Sequence, residues 1–227
     1  MKNRLIVMLV LLTFLASCAG TSKVKSKHDA VDLGLPSGTL WASCNVGAAN
    51  PWDYGEYFAW GETTPKAVYD WPSYKYAKDA TSSTSKSFTK YCQDAESGYN
   101  GYSDKLAVLE NIDDAATANW GAEWSTPTMT QWQELHNNCT WTWTTIKNVN
   151  GYEVKGKNGK KIFIPAAGSK SGAKSSGVGE RGSYWSANIA RSLYNASQVG
   201  FASNYAHGQG SNERASGQPV RPVQTKK

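Results

Sequence analysis

Histidine and cysteine are both scarce in this chain, and that scarcity removes whole classes of chemistry. The three histidines, His28, His136 and His207, stand far apart among 227 residues. The four cysteines, Cys18, Cys44, Cys92 and Cys139, show no pair spacing of the kind zinc sites use. A Cys/His metal centre is therefore not expected, nor is any other cofactor. No Gly-x-Ser-x-Gly elbow occurs, and so few bases leave no legible nucleophile–base pair. The expectation is that the chain is not an enzyme. Charged residues make up only 19% of the sequence, and the basic ones read as scattered, so a nucleic-acid partner is not expected. After residue 17 no stretch approaches the roughly 18 apolar residues that a membrane-spanning helix needs.

What is present starts at the N-terminus. Lys2 and Arg4 precede an apolar run from Leu5 to Leu15, broken only by Thr13, and small residues lead into Cys18. This is the layout of an export signal. The tetrapeptide Leu15–Cys18 (LASC) resembles a bacterial lipobox, in which the cysteine is acylated and becomes the new N-terminus. An ordinary signal that happens to end beside a cysteine is the alternative. On the lipobox reading, residues 1–17 are a lipoprotein signal peptide, 18–29 are the lipidated cysteine and its tether, and 30–227 form the domain. Lys23, Lys25 and Lys27 keep the tether solvated, with attraction to anionic headgroups as a second role. Loss of Lys2 and Arg4 lowers the formal charge from +6 to +4.

Trp (10) and Tyr (12) far outnumber Phe (5), and Gly numbers 21. That balance suits short strands with aromatic rings filling the gaps between them. It also suits a binding surface, because these rings combine apolar area with a polar handle. Cys44, Cys92 and Cys139 permit at most one internal bridge, and spacing does not choose the pair.

Patterning along the chain predicts short strands at Val31–Leu35, Leu40–Val46 and Gly55–Trp60. Residues 61–112 break every period. Within them Asp94–Asp104 carries oxygen ligands but departs from the EF-hand pattern, so it reads as a loop. Ile112–Asn119 reads as a short helix, with Asp113 and Asp114 as favourable charges at its N-terminus. Thr128–Asn138 is the clearest helix. Thr128 and Gln131 have capping-box spacing, and Met129, Trp132, Leu135 and Cys139 share one face. Trp141 and Trp143 alternate with threonines, and Asn150-Gly151 and Asn158-Gly159 read as hairpin turns. Gly151–Gly156, Lys160–Pro165, Tyr184–Ile189, Ser197–Ala202 and Val220–Val223 complete the strands, with 168–183 as a Gly/Ser/Lys loop. The predicted class is α+β: short antiparallel strands, two helices and long loops.

Six segments in order sharpen this reading: Val31–Ala48 (VDLGLPSGTLWASCNVGA), Tyr57–Thr63 (YFAWGET), Trp124–Leu135 (WSTPTMTQWQEL), Ile162–Gly168 (IFIPAAG), Tyr184–Ala187 (YWSA) and Val220–Val223 (VRPV). Together they resemble the Fibrobacter succinogenes major paralogous domain found in predicted lipoproteins of Bacteroidetes-type bacteria. The resemblance implies a C-type-lectin-like fold, a relation to formylglycine-generating enzymes, and a place in the bacterial cell envelope as an outer-membrane lipoprotein. No cysteine follows Cys139, so the copper-binding redox pair of those enzymes does not carry over. The calcium-binding strings of C-type lectins are missing too. No acidic residue follows Cys18 before Lys27, which favours a periplasm-facing anchor over a surface-exposed one.

By analogy with lectin-like folds, ligands meet the late loops, here 169–183 and 203–217. Asn204, Tyr205, His207, Asn212, Glu213 and Arg214 supply donors, acceptors and a stacking ring, the mix that sugar recognition needs. His136 reads as a boundary residue beside the helix core stripe. The expected function is a non-enzymatic, lectin-like envelope lipoprotein binding a glycan or an envelope protein. The alternative is a structural or adhesive-fibre component without a small ligand.

Overall fold

The computed structural model describes residues 28–225 apart from 84 and 86. The signal segment, Cys18 and most of the tether lie outside the described residues. The elements in chain order are β1 (Ala30–Asp32), β2 (Leu40–Ala42), α1 (Ala115–Trp120), α2 (Met129–Asn138), β3 (Thr140–Ile146), β4 (Val149–Lys155), β5 (Lys161–Pro165), β6 (Ser169–Ser171), β7 (Lys174–Ser176), β8 (Arg181–Ile189), β9 (Asn195–Ala202), β10 (Tyr205–Glu213) and β11 (Val223–Gln224). Short 3₁₀ turns cover Tyr99–Gly101 and Asn111–Asp113. The strands form small antiparallel sheets ordered β1-β2-β11, β3-β4-β5 and β10-β9-β8, with a separate β6-β7 hairpin. The protein is α+β. No described helix is long and apolar enough to cross a membrane.

The best-read element is α2. Thr128 caps it through the Gln131 N–H, and the Gln131 side chain reaches back to the Thr128 N–H at 2.8 Å, closing the capping box. Trp132 and Leu135 are fully buried against β8 and β9. Trp132 also meets Trp41 at 4.6 Å, which joins α2 to the N-terminal sheet.

Arg221 locks this arrangement from the C-terminal segment. It is fully buried, and its guanidinium donates to Asn45 Oδ1, Ala42 O and Phe163 O at 2.7–3.0 Å. These acceptors come from two distant stretches of chain, 42–45 and 163. Burial without a partner would be costly, so their convergence explains how an arginine sits in the core.

Several sequence expectations are corrected. Gly55–Trp60 is no strand: Phe58 bridges Gln218 alone, although Tyr57 to Trp60 are all buried. The strands expected over Val31–Leu35, Leu40–Val46 and Val220–Val223 shrink to β1, β2 and β11, because Leu33, Leu35 and Val46 enter the core from irregular backbone. The helix at 112–119 splits into the Asn111–Asp113 turn and α1, because Asp114 caps α1 and Asp113 turns away to other partners. Asn150-Gly151 lies inside β4, not in a turn. The turn is Lys147-Asn148, both with positive φ, while Gly151 sits so close to Phe163 and Ile164 that a Cβ would clash. The 168–183 loop contains β6 and β7 and the start of β8. The 203–217 loop is mostly strand: β10 occupies nine of those residues, joined to β9 by the tight turn Ser203-Asn204.

Candidate binding face

The six residues expected to converge are instead strung along β10, which at about 3.3 Å per residue is roughly 30 Å long. Asn204 is exposed in the β9–β10 turn, and Tyr205 beside it is 46% exposed. At the other end, Glu213 accepts a hydrogen bond from Trp71 Nε1 at 3.2 Å, and Asn212 Oδ1 accepts the Glu213 N–H. Arg214 does not line an open surface at all. It is fully buried, donates to Tyr91 O at 3.0 Å, and stacks its guanidinium over Phe88 and Trp60. Tyr205 and His207 therefore separate from Glu213 and Arg214. Cys44, Cys92 and Cys139 are all free thiols. His28, assigned to the tether, stacks on Trp120 at 3.7 Å.

His207 does meet another feature of the sequence. Its ring stacks on His136 of α2, with centroids 4.7 Å apart and 22° between planes. His136 in turn lies 6.1 Å from Trp141 of β3. Both ring nitrogens of His207, Nδ1 of His136 and Nε1 of Trp141 are buried without a hydrogen-bond partner among the described residues. Burial, and after it the neighbouring His136, pulls the His207 pKa down to about 4. Trp141 and Trp143 pack edge-on against Tyr152, which touches Phe201. The result is an aromatic cluster in which Trp141 and Trp143 are partly buried while Tyr152 and Phe201 belong to the core.

A groove runs along α2. One cleft of about 550 Å³ is lined by Met129, Thr130, Gln133, Glu134, Asn137 and Asn138 together with Gln209 of β10. A second, of about 510 Å³, adjoins it through the shared Asn137 and Asn138 and continues over Thr140 to Lys155 and Lys157. Four carboxamides thus face the first cleft. Gln133 links the helix to β10 by accepting from Gln209 and donating to Asn137 Oδ1 at 2.8 Å. Asn138 donates to Glu134 O, and the Glu134 carboxylate is taken by the N–H and hydroxyl of Ser37. Among the described residues, the Asn137 amide N–H and the Asn138 and Gln209 side-chain carbonyl oxygens have no hydrogen-bond partner.

Sequence reasoning missed these groove residues. The signal was there: Thr130, Gln133, Glu134, Asn137 and Asn138 fall at i, i+3, i+4, i+7 and i+8, one helix face dominated by uncharged amides where a plain solvent face carries charge. Gln209 could not be placed, because its segment read as loop. Comparison of the chain with protein families, with curated proteins and with solved structures returns no match. The functional reading therefore rests on the geometry just described.

Proposed function

We propose that this chain is a non-enzymatic cell-envelope lipoprotein whose lectin-like domain binds a glycan along the α2 groove. One observation carries the reading: two adjoining clefts share Asn137 and Asn138, and four carboxamides face the first of them. A carboxamide offers a donor and an acceptor together, which matches the paired hydroxyls of a sugar ring. The small α+β sheets and the lipobox-like LASC at Leu15–Cys18 are in keeping with an anchored lectin-like module, and the anchor faces the periplasm.

The test is a glycan array probed with the chain, with and without calcium. The expected result is binding that survives chelation and drops about tenfold in Asn137→Ala/Asn138→Ala, the effect of losing two modest hydrogen bonds. A blank array, or hits that ignore the asparagine change, would sink the groove as the site.

A further inference from the structure

The β4–β5 hairpin carries a charge cluster that the scattered look of the basic residues concealed. Lys155, Lys157, Lys160 and Lys161 fall within seven positions, and all four are exposed. Lys155 stands directly opposite Lys161 in the β4–β5 register. Like charges placed so are unfavourable in a sheet, so the fold gains nothing from the arrangement. Lys161 is relieved by Glu153 at 2.7 Å. Lys155, Lys157 and Lys160 have no ion-pair partner among the described residues.

The bordering carboxylates make hydrogen bonds rather than ion pairs with these lysines. Glu134 is held by Ser37, and Asp32 Oδ1 accepts the Gly34 N–H. The turn itself is braced: Asn158 donates to Asp32 O at 2.7 Å and accepts the Lys160 N–H at 3.0 Å. A braced turn presents its lysines from fixed backbone, which lowers the ordering cost of binding.

Lys155 and Lys157 are also lining residues of the second cleft, alongside Asn137, Asn138 and Thr140. The positive charge therefore opens into the amide groove. We propose that the ligand is an anionic polysaccharide: sugar hydroxyls lie across the carboxamides while carboxylate, sulfate or phosphate groups on the same chain reach the β4–β5 lysines. This rests on the glycan reading of the groove and narrows it. An anionic membrane surface is the competing partner for any lysine cluster. Among the described residues the exposed large apolar ones are Val68, Tyr102, Val108, Ile112, Val178 and Tyr205, and none lies on this hairpin, so nothing there would enter a bilayer.

The experiment is affinity electrophoresis of the full chain through gels containing polygalacturonate, its methyl-esterified form, alginate, dextran sulfate or neutral dextran. Retention by at least one acidic polymer is expected, falling with added salt. Where polygalacturonate retains the chain, esterification should abolish that retention. Lys155→Gln/Lys157→Gln should weaken the retention about tenfold, from two exposed charge contacts, and Asn137→Ala/Asn138→Ala should weaken it as well. All the substituted side chains are at the surface or the groove lip, and unchanged thermal melts would confirm folding.

Equal retention by neutral and acidic polymers would overturn the anionic preference and leave the glycan reading standing. Retention by acidic polymers that ignores the asparagine change would mean adsorption by charge alone, which also overturns it. No retention by any polymer would remove both readings. A parallel arm uses vesicles of phosphatidylcholine with or without an equal part of phosphatidylglycerol. Lysine-dependent preference for the anionic vesicles, with the polymers ignored, would assign the hairpin to a membrane instead.

Discussion

Between residues 140 and 165 the backbone satisfies itself. β3, β4 and β5 pair in continuous register from Thr140 to Pro165, and their side chains add packing. Among the described residues between 61 and 112 no named strand forms, yet Tyr69, Tyr74, Phe88, Tyr91 and Cys92 are as deeply buried as the meander core. There, carboxylates take the place of a sheet. Asp104 accepts the Tyr91, Cys92 and Leu106 N–H groups at 2.8–3.1 Å. Asp113, almost fully buried, accepts from the Tyr76 and Tyr91 hydroxyls and from Lys90, which also pairs with Glu110.

Each half also has its own buried arginine in the C-terminal segment. Arg214 grips Tyr91 O for the irregular stretch, and Arg221 grips Phe163 O for the meander. The comparison teaches that buried polar groups can be satisfied by ladder or by hub, and that a hub concentrates the risk in a few residues.

Arg221→Met is the strongest way to break that comparison. It strands three buried acceptors at once and should cost about 4 kcal/mol, read from urea unfolding, because each orphaned group costs about 1–3 kcal/mol. It should loosen the meander and the N-terminal sheet together. Asp113→Asn comes next, at about 2–3 kcal/mol, since the amide cannot accept from both phenols and the ammonium. Hydrogen exchange should then rise across 75–113 while β4 stays protected; equal loss in both would erase the distinction.

Acid sharpens it further. Burial would raise the Asp113 pKa, but the hydrogen bonds from Lys90, Tyr76 and Tyr91 outweigh it and hold the group below the usual range. The unfolded carboxyl therefore takes up a proton first. Asp113 gives its full stabilisation above about pH 4, the unfolded aspartate value, and loses it as pH falls through the lower folded one. Asp114 runs the other way, because burial raises its pKa despite four hydrogen bonds from Thr126, Ala116 and Thr117. In Asp113→Asn the acid-side loss should disappear and the Asp114 slope remain.

His207 acts in a higher window. Its folded pKa of about 4 lies under the ordinary value near 6.5, so the unfolded ring protonates first on acidification. Stability at β10 should be full above that ordinary value and fall as pH drops toward the folded one, by about 1 kcal/mol once solvent screening of the partly buried ring is allowed for. A pH series of urea midpoints should show the fall in the parent chain and none in His207→Gln. The smallest effect is Asn148→Gly, which relieves a φ of 64° in the β3–β4 turn. A gain of about 0.5 kcal/mol is expected in the thermal melt, since glycine adopts that conformation without strain.

The two halves were unequally legible for the same reason. α2 and the meander announce themselves because caps, alternation and Asn158-Gly159 act over a few residues. The face of β10 that meets α2 was hidden by polar, glycine-containing sequence, Tyr205–Glu213, whose strand character comes from pairing with β9 rather than from propensity. Asp113 read as a helix-terminal charge because its real partners lie 22, 23 and 37 residues away. Arg214 read as a ligand contact because nothing local shows that Phe88 and Trp60 enclose it.

Local spacing alone determined the α+β class, the capped helix, the antiparallel meander and the aromatic character of its edge. Those follow from periods and caps that neighbouring residues impose on one another. Tertiary structure alone decided which polar groups are buried hubs and which are open to a ligand. It drew Gln209, Asn137, Asn138, Lys155 and Lys157 to one groove and carried Arg214 into the core. Such choices depend on contacts between distant segments, and these are settled only when most buried groups find their partners together.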